Sequence, residues 1–202
     1  MSATARDRIL DRVQSDAVLR GFGALSVEEL AEAGQLSRSG FFYHFPDKSD
    51  LARAALERFV RAGHEGFMQL VSQAETKSSD PVQRLLIVLE SVSERLEVAG
   101  PMPGCLVAAA CYQDRLFDPT VREENRKAML LRRARVRNLL DAAAAQCPPR
   151  PTVDLEDLAD MLAGVIDGAL VIGRVRDDPQ VPARQVRLYR EFVALLFAGA
   201  PR

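Results

Sequence analysis

The sequence predicts an all-α chain, and three observations carry that reading. Apolar residues recur at three-and-four spacing over most of the 202 residues. Ala, Leu, Arg and Glu dominate the composition, and such residues lose little rotamer freedom in a helix. No run with β alternation reaches a useful length. With 48% hydrophobic and 27% charged residues, the chain can also bury a core rather than stay disordered.

The elements follow in order. A first helix is expected from about Thr4 to Arg20, on Ile9, Leu10, Val13, Ala17 and Val18. Gly21-Phe22-Gly23 stops it, since glycine readily adopts the conformation that closes a helix. Ser26 is the N-cap of a short second helix, about Val27 to Ala33, with Glu29 at the third position of a capping box. Gly34 ends that helix, and Ser37 opens a third one reaching about His44. Pro46 breaks it, and Asp47 or Ser49 caps a fourth helix from about Lys48 to beyond Phe59. Further helices are expected over about Pro81 to Val98 and, after the loop GPMPG at 100–104, over about Cys105 to Leu116. Asp118-Pro119 starts a long helix to about Gln146, and CPPRP at 147–151 is a rigid break. Asp154 then opens a helix to about Arg176, and Pro182 starts a last one ending near Ala198.

Charge and composition exclude several classes. No apolar stretch is long enough for a membrane span, and MSATARDRILDR lacks the apolar region of a secretory signal. The odd count of three cysteines, at irregular spacing, fits a reduced cytoplasm. Enzyme signatures are missing: there is no Walker loop, and Gly21-Phe22-Gly23 lacks the third glycine of a dinucleotide fingerprint. Two His and three Cys have no metal-ligand spacing, so no metal and no cofactor is expected. A helical adaptor or ligand-binding module is the remaining rival, because the C-terminal half alone would fit one.

The segment from Ser26 to Phe45 reads as a helix-turn-helix, two short helices joined by a tight turn. Such a unit lays its second helix in the major groove of DNA. The net charge of −1 offers no support, and the first 62 residues hold nine cations and nine carboxylates. The local distribution does: from Ala33 to Pro46 there is no carboxylate, while Arg38 and His44 lie inside and Lys48 just beyond. Arg38 can pair bidentately with guanine, and Ser39 can donate to a base or phosphate. Gly40 would let the backbone approach the duplex, and Tyr43 and Lys48 could grip phosphates. Taken singly, each has a plainer reading: Arg38 as a solvated charge, the phenylalanines as core, His64 as structural.

Their order is more specific than any one of them. The string GFGALSVEELAEAGQLSRSGFFYHFPDKSDL resembles the N-terminal domain of TetR-type transcriptional regulators. The matching elements are Gly21-Phe22, Ser26-Val27, Leu30-Ala31, Ser37-Arg38, the aromatic run ending in His44-Phe45, and Pro46-x-Lys48-x-x-Leu51. The resemblance implies a phosphate contact at Ser26, base reading by Arg38, Ser39 and Gly40 with Tyr43 and His44 alongside, and a phosphate clamp at Lys48. It implies a small core of Phe22, Val27, Leu30, Leu36, Phe41, Phe45 and Leu51. Two positions depart from the family pattern. Gln35 stands where a glycine is usual, and Phe42 where a tyrosine is usual, which leaves Tyr43 as the phenolic contact.

On this resemblance, residues 1–48 form a three-helix DNA-binding domain. Residues 49–202 form a helical domain for ligand binding and dimerisation, with the helix from about Lys48 linking the two. The expected function is a cytoplasmic, non-enzymatic repressor that leaves double-stranded operator DNA when a small molecule, electrophile or oxidant acts on the C-terminal domain. The last two helices are apolar on wide faces. A symmetric four-helix interface of a homodimer would cover them, with Leu162, Ile166, Leu170, Tyr189, Phe192 and Leu196 at the contact; packing against the chain's own core is the alternative. Two recognition helices one DNA turn apart would then read a near-palindromic site. Pocket candidates are Phe59, Phe67, Met68, Leu86, Met102, Cys105, Leu106, Tyr112, Phe117, Met129 and Asp167. Asp167 is equally a surface or interface carboxylate. Cys105, after Gly104 at a helix opening, is either a structural thiol or, as in a subgroup of the family, a sensor. The basic run RKAMLLRRARVR at 126–137 reads as a solvated face or one met by acidic neighbours.

Overall fold

The computed structural model describes residues 3–99, 104–113, 115 and 117–198. The elements run α1 (Ala5–Arg20), a 3-10 turn (Phe22–Ala24), α2 (Val27–Gly34), α3 (Arg38–His44), α4 (Lys48–Lys77), α5 (Pro81–Val98), α6 (Leu106–Cys111), α7 (Pro119–Gln146), α8 (Leu155–Val175) and α9 (Val181–Phe197). Among the described residues there is no strand, and the fold is all-α. Among those residues no helix is long and apolar enough to cross a membrane. The sixth helix ends at Cys111, earlier than the spacing suggested; Leu116 and Met102 lie outside the described residues.

The helix starts obey their capping residues. Thr4 and Asp7 form a capping box on α1, and Ser26 and Glu29 form one on α2. Ser37 accepts from the Gly40 N–H at 3.1 Å, Asp80 caps α5, and Asp154 caps α8. Each bond satisfies an amide that would otherwise lack a partner in the first turn.

The chain divides into two compact units. Residues 1–63 and 103–129 make the first, whose core holds Ile9, Leu10, Val13, Leu30, Phe41, Phe45, Leu56 and Leu106. Phe22 meets Phe117 edge to face at 5.1 Å, and the Phe22 N–H donates to Gln113 Oε1 at 2.9 Å. Gly21 is held at φ 84°, and a Cβ there would fall 2.8 Å from that same oxygen. Residues 64–102 and 130–202 make the second unit, with Leu85, Leu89, Leu140, Leu158, Leu162, Val186, Tyr189 and Val193 in its core. Tyr189 is 2% exposed and donates to the Leu158 carbonyl at 2.7 Å, and burial pushes its phenol pKa upward.

The turn between α2 and α3 differs from the expectation that Gly34 would close the helix. Gly34 remains helical, and a Cβ there would stand 2.8 Å from Ile9 Cδ1 of α1. The left-handed position falls to Gln35, at φ 57° and ψ 45°. Its N–H donates to the Glu32 carbonyl at 2.9 Å, and the Leu36 N–H donates to Ala31 at 2.9 Å, a Schellman closure. A side chain in this conformation costs about 1–2 kcal/mol, whereas glycine costs about 0.5–1 kcal/mol in unfolded-state entropy. Gln35→Gly is therefore expected to stabilise the chain by about 0.5–1 kcal/mol, read as a raised midpoint in urea unfolding; an unchanged or lowered midpoint would refute the strain at Gln35.

Candidate functional site

Phe41 and Phe45 anchor α3 into the core of the first unit, and their burial decides which residues of this short helix face out. Arg38, Ser39, Phe42 and Tyr43 are exposed, and Gly40 and His44 are half-buried. Tyr43 is 86% exposed, with its ring edge-on to His44 at 5.4 Å. The Ser39 hydroxyl lies 2.9 Å from that of Ser37. Gly40 turns toward the chain itself: a Cβ there would sit 3.3 Å from the Leu36 Cβ, so this position also serves packing at the turn.

Arg38 is tethered. Its Nη1 donates to Glu28 at 3.0 Å across the two helices, and its guanidinium stands 6.0 Å from the Phe42 ring centroid. Glu28 and Phe42 were missed in the sequence as partners of Arg38. The i,i+4 spacing of Arg38 and Phe42 was a usable signal, whereas a pair across the turn was not.

The Ser26 hydroxyl is committed to its helix, accepting from the Glu29 N–H at 3.1 Å and donating to the Glu29 carboxylate at 2.9 Å. The Ser26 backbone N–H is the largest cause, ahead of Arg20, that brings the Glu29 pKa down to about 2. Lys48 is exposed at the start of α4 with no carboxylate partner among the described residues. It borders a cleft of about 230 Å³ together with Phe22, Leu25, Leu30, Leu51 and Phe117.

The second unit contains a cavity of about 370 Å³ between α4, α5 and α7. Of the pocket candidates, it brings together Phe67 and Met68. Phe59, Cys105, Leu106, Phe117 and Met129 belong to the core of the first unit, Leu86 to that of the second, and Tyr112 is 90% exposed. Asp167 binds Arg132 at 3.1 Å. His64, Val71, Arg84, Leu131, Arg135 and Asn138 also line the cavity, unforeseen in the sequence because periodicity locates a helix without saying which neighbour each face meets. Among the described residues no cluster of ligands suited to a metal ion is present.

The outward faces of α8 and α9 are apolar. Met161, Val171, Ile172 and Val175 on α8 and Leu188, Phe192 and Leu195 on α9 stand exposed. Leu162, Tyr189 and Leu196 point into the unit's own core, while Ile166 and Leu170 are half-buried.

Solved structures of other proteins share this fold. A TetR-family transcriptional regulator from Agrobacterium tumefaciens superposes with a TM-score of 0.77 at 20% identity, covering 93% of this chain and 96% of that one. Reduced NemR from E. coli gives 0.75 at 17% identity, covering 97% and 99%. A TetR transcriptional regulator from Chloroflexus aurantiacus gives 0.74 at 21% identity, covering 94% of each. No curated protein matches the chain significantly. Residues 17–55 match the domain described as bacterial regulatory proteins, tetR family, and residues 81–189 match the tetracyclin repressor-like C-terminal domain. With over half its length inside the second domain and its helix-turn-helix inside the first, the chain belongs to the TetR family of bacterial transcriptional regulators.

Proposed function

We propose that this TetR-family regulator is a homodimeric repressor that reads a near-palindromic operator through α3 and leaves it when a small molecule enters the cavity of the second unit. One observation carries the DNA reading: a short helix buries Phe41 and Phe45 and turns Arg38, Ser39 and Tyr43 to solvent, with Lys48 exposed at the start of the next helix. On this reading Arg38 and Ser39 meet base edges, Tyr43, His44 and Lys48 meet phosphates, and Gly40 keeps α3 close to its turn. The Ser26 hydroxyl reaches a phosphate only by giving up its bond to Glu29, so the backbone at the start of α2 is the better donor.

The dimer reading rests on the exposed stripe of α8 and α9. So many large apolar side chains in water are a marker of an interface. The contact is assigned to Met161, Val171, Ile172, Leu188, Phe192 and Leu195, with Ile166 and Leu170 behind them and Leu162, Tyr189 and Leu196 as its inner support. The chain acts in the cytoplasm, performs no catalysis and needs no cofactor or metal. The effector reading draws on α4, which carries Lys48 at its start and Phe67, Met68 and Val71 at the cavity.

The test of DNA binding is a gel shift of the full chain against the DNA flanking its own gene. A folded protein that leaves that DNA unshifted at low salt overturns the assignment. Arg38→Ala is expected to lose about 1–3 kcal/mol of discrimination at one base position. Lys48→Ala should weaken binding to all sequences and lower the salt slope by about one; equal slopes in the two variants would contradict these roles. Glu28→Gln, which frees Arg38 and removes a negative charge beside α3, is expected to tighten binding at low salt, and weaker binding would show that Glu28 aids recognition instead. Leu195→Glu places a charge in the assigned interface, where Leu195 is 74% exposed in one chain. It should weaken dimerisation by tenfold or more, by roughly the cost of burying a charge, as measured by sedimentation; an unchanged dimer would place the interface elsewhere.

A further inference from the structure

The cavity of the second unit is more selective than its apolar walls alone imply. Phe67, Met68, Val71, Val88 and Leu139 supply those walls, and two guanidiniums, Arg84 and Arg135, line it against one carboxylate, Glu75. Arg84 is engaged locally: its Nε donates to the Ser78 carbonyl and its Nη2 to the Ser79 carbonyl, both at 2.8 Å.

Arg135 is different from its neighbours on α7. Arg132 pairs with Asp167, Arg133 with Asp160 and Glu156, and Arg137 with Asp141 and Glu156. Among the described residues Arg135 has neither a carboxylate nor a hydrogen-bond acceptor, and its Nε is buried. Burial alone pushes its pKa down. A guanidinium has five N–H donors and stays charged at any physiological pH. A buried donor left without a partner costs more than a made hydrogen bond returns. A half-buried cation thus stands beside apolar walls with no counter-ion among the described residues.

We propose that the effector is an amphipathic carboxylate, with its apolar body against Phe67, Met68, Val71 and Leu139 and its carboxylate held by Arg135. A single free guanidinium matches a planar monoanion, to which it can make two parallel N–H bonds. A phosphate dianion would call for a second free cation, and Arg84 has its donors turned to backbone carbonyls. The regulatory part of this inference rests on the cavity being the effector site; the binding part rests on Arg135.

The experiment titrates the full-length protein with octanoate, octan-1-ol and octylammonium, three ligands with one tail and different heads. Octanoate is expected to bind at least about tenfold more tightly than the alcohol, as charge-assisted hydrogen bonds allow. Arg135→Met should bring octanoate down to the affinity of the alcohol, and Arg135→Lys should restore part of the preference. Removing an unpaired buried charge is not expected to unfold the chain, and the lysine variant keeps the test open if it does. Octanoate that fails to bind, alcohol or ammonium binding as tightly, or a preference that survives Arg135→Met each overturns the proposal. Operator release measured in parallel separates the two readings. Octanoate bound through Arg135 without release of DNA supports this inference and refutes the effector role of the cavity. Release by the alcohol with no preference for the carboxylate does the reverse.

Discussion

Ile9 fills the space where a side chain on Gly34 would stand, and the geometry of the first unit depends on that approach. It brings α1 against the end of α2 and takes Gly34 out of the work of turning the chain. Gln35 then turns it, Leu36 folds back on Ala31, and Ser37, extended at φ −71° and ψ 165°, caps α3. From there the placement of Phe41 and Phe45 in the core follows, and with it the outward set on α3. A larger residue at Gly34 would push on a side chain that is 0% exposed, so the disturbance would reach α3 through α1 as well as through the turn.

The candidate sites in the two units differ in their electrostatics. In the first, the exposed pair of Arg38 and Glu28 is worth about 0–1 kcal/mol, since water and salt screen it. A bidentate contact to a base is worth about 1–3 kcal/mol, so the pair positions Arg38 over Phe42 without holding it back. Charge neutrality of this half is therefore no obstacle to the proposed DNA contact. Asp16 and Glu29 are turned to Arg12 and Arg20, whereas Lys48 has no carboxylate among the described residues. At the cavity of the second unit Arg135 is half-buried, and an arginine without a partner among the described residues is costly beside apolar walls unless a ligand completes it.

Much of this was legible because local chemistry sets it. The caps at Ser26, Ser37 and Asp154 act within three residues of themselves, and the order of turns and aromatics from Gly21 to Leu51 is local too. The faces of the larger helices were harder to read. On α9, Tyr189 and Leu196 are buried while Leu188 and Leu195, one position away, are exposed. A shift of one residue is about 100° around a helix, and an α-helix apolar on two faces does not say which of them meets its own chain. The cavity was hidden for a further reason. Phe59 and Phe67 share α4, yet they serve different units, and nothing in their spacing marks where the helix passes from one to the other.

That passage matters to the proposed regulation. α4 is unbroken from Lys48 to Lys77, and α7 from Pro119 to Gln146, and each contributes to both units. A helix is stiff against bending over such lengths, so a ligand need not unfold anything to act on the start of α4. On the proposed reading it needs only to favour a setting of Phe67, Met68 and Val71 in which Lys48 is displaced from the phosphate assigned to it. Coupling between two sites in one protein amounts to about 1–3 kcal/mol, or roughly 5–150-fold in affinity. A bidentate base contact, as proposed for Arg38, lies within that range. In the proposed dimer, loss of one such contact per subunit would weaken the proposed operator complex twice over.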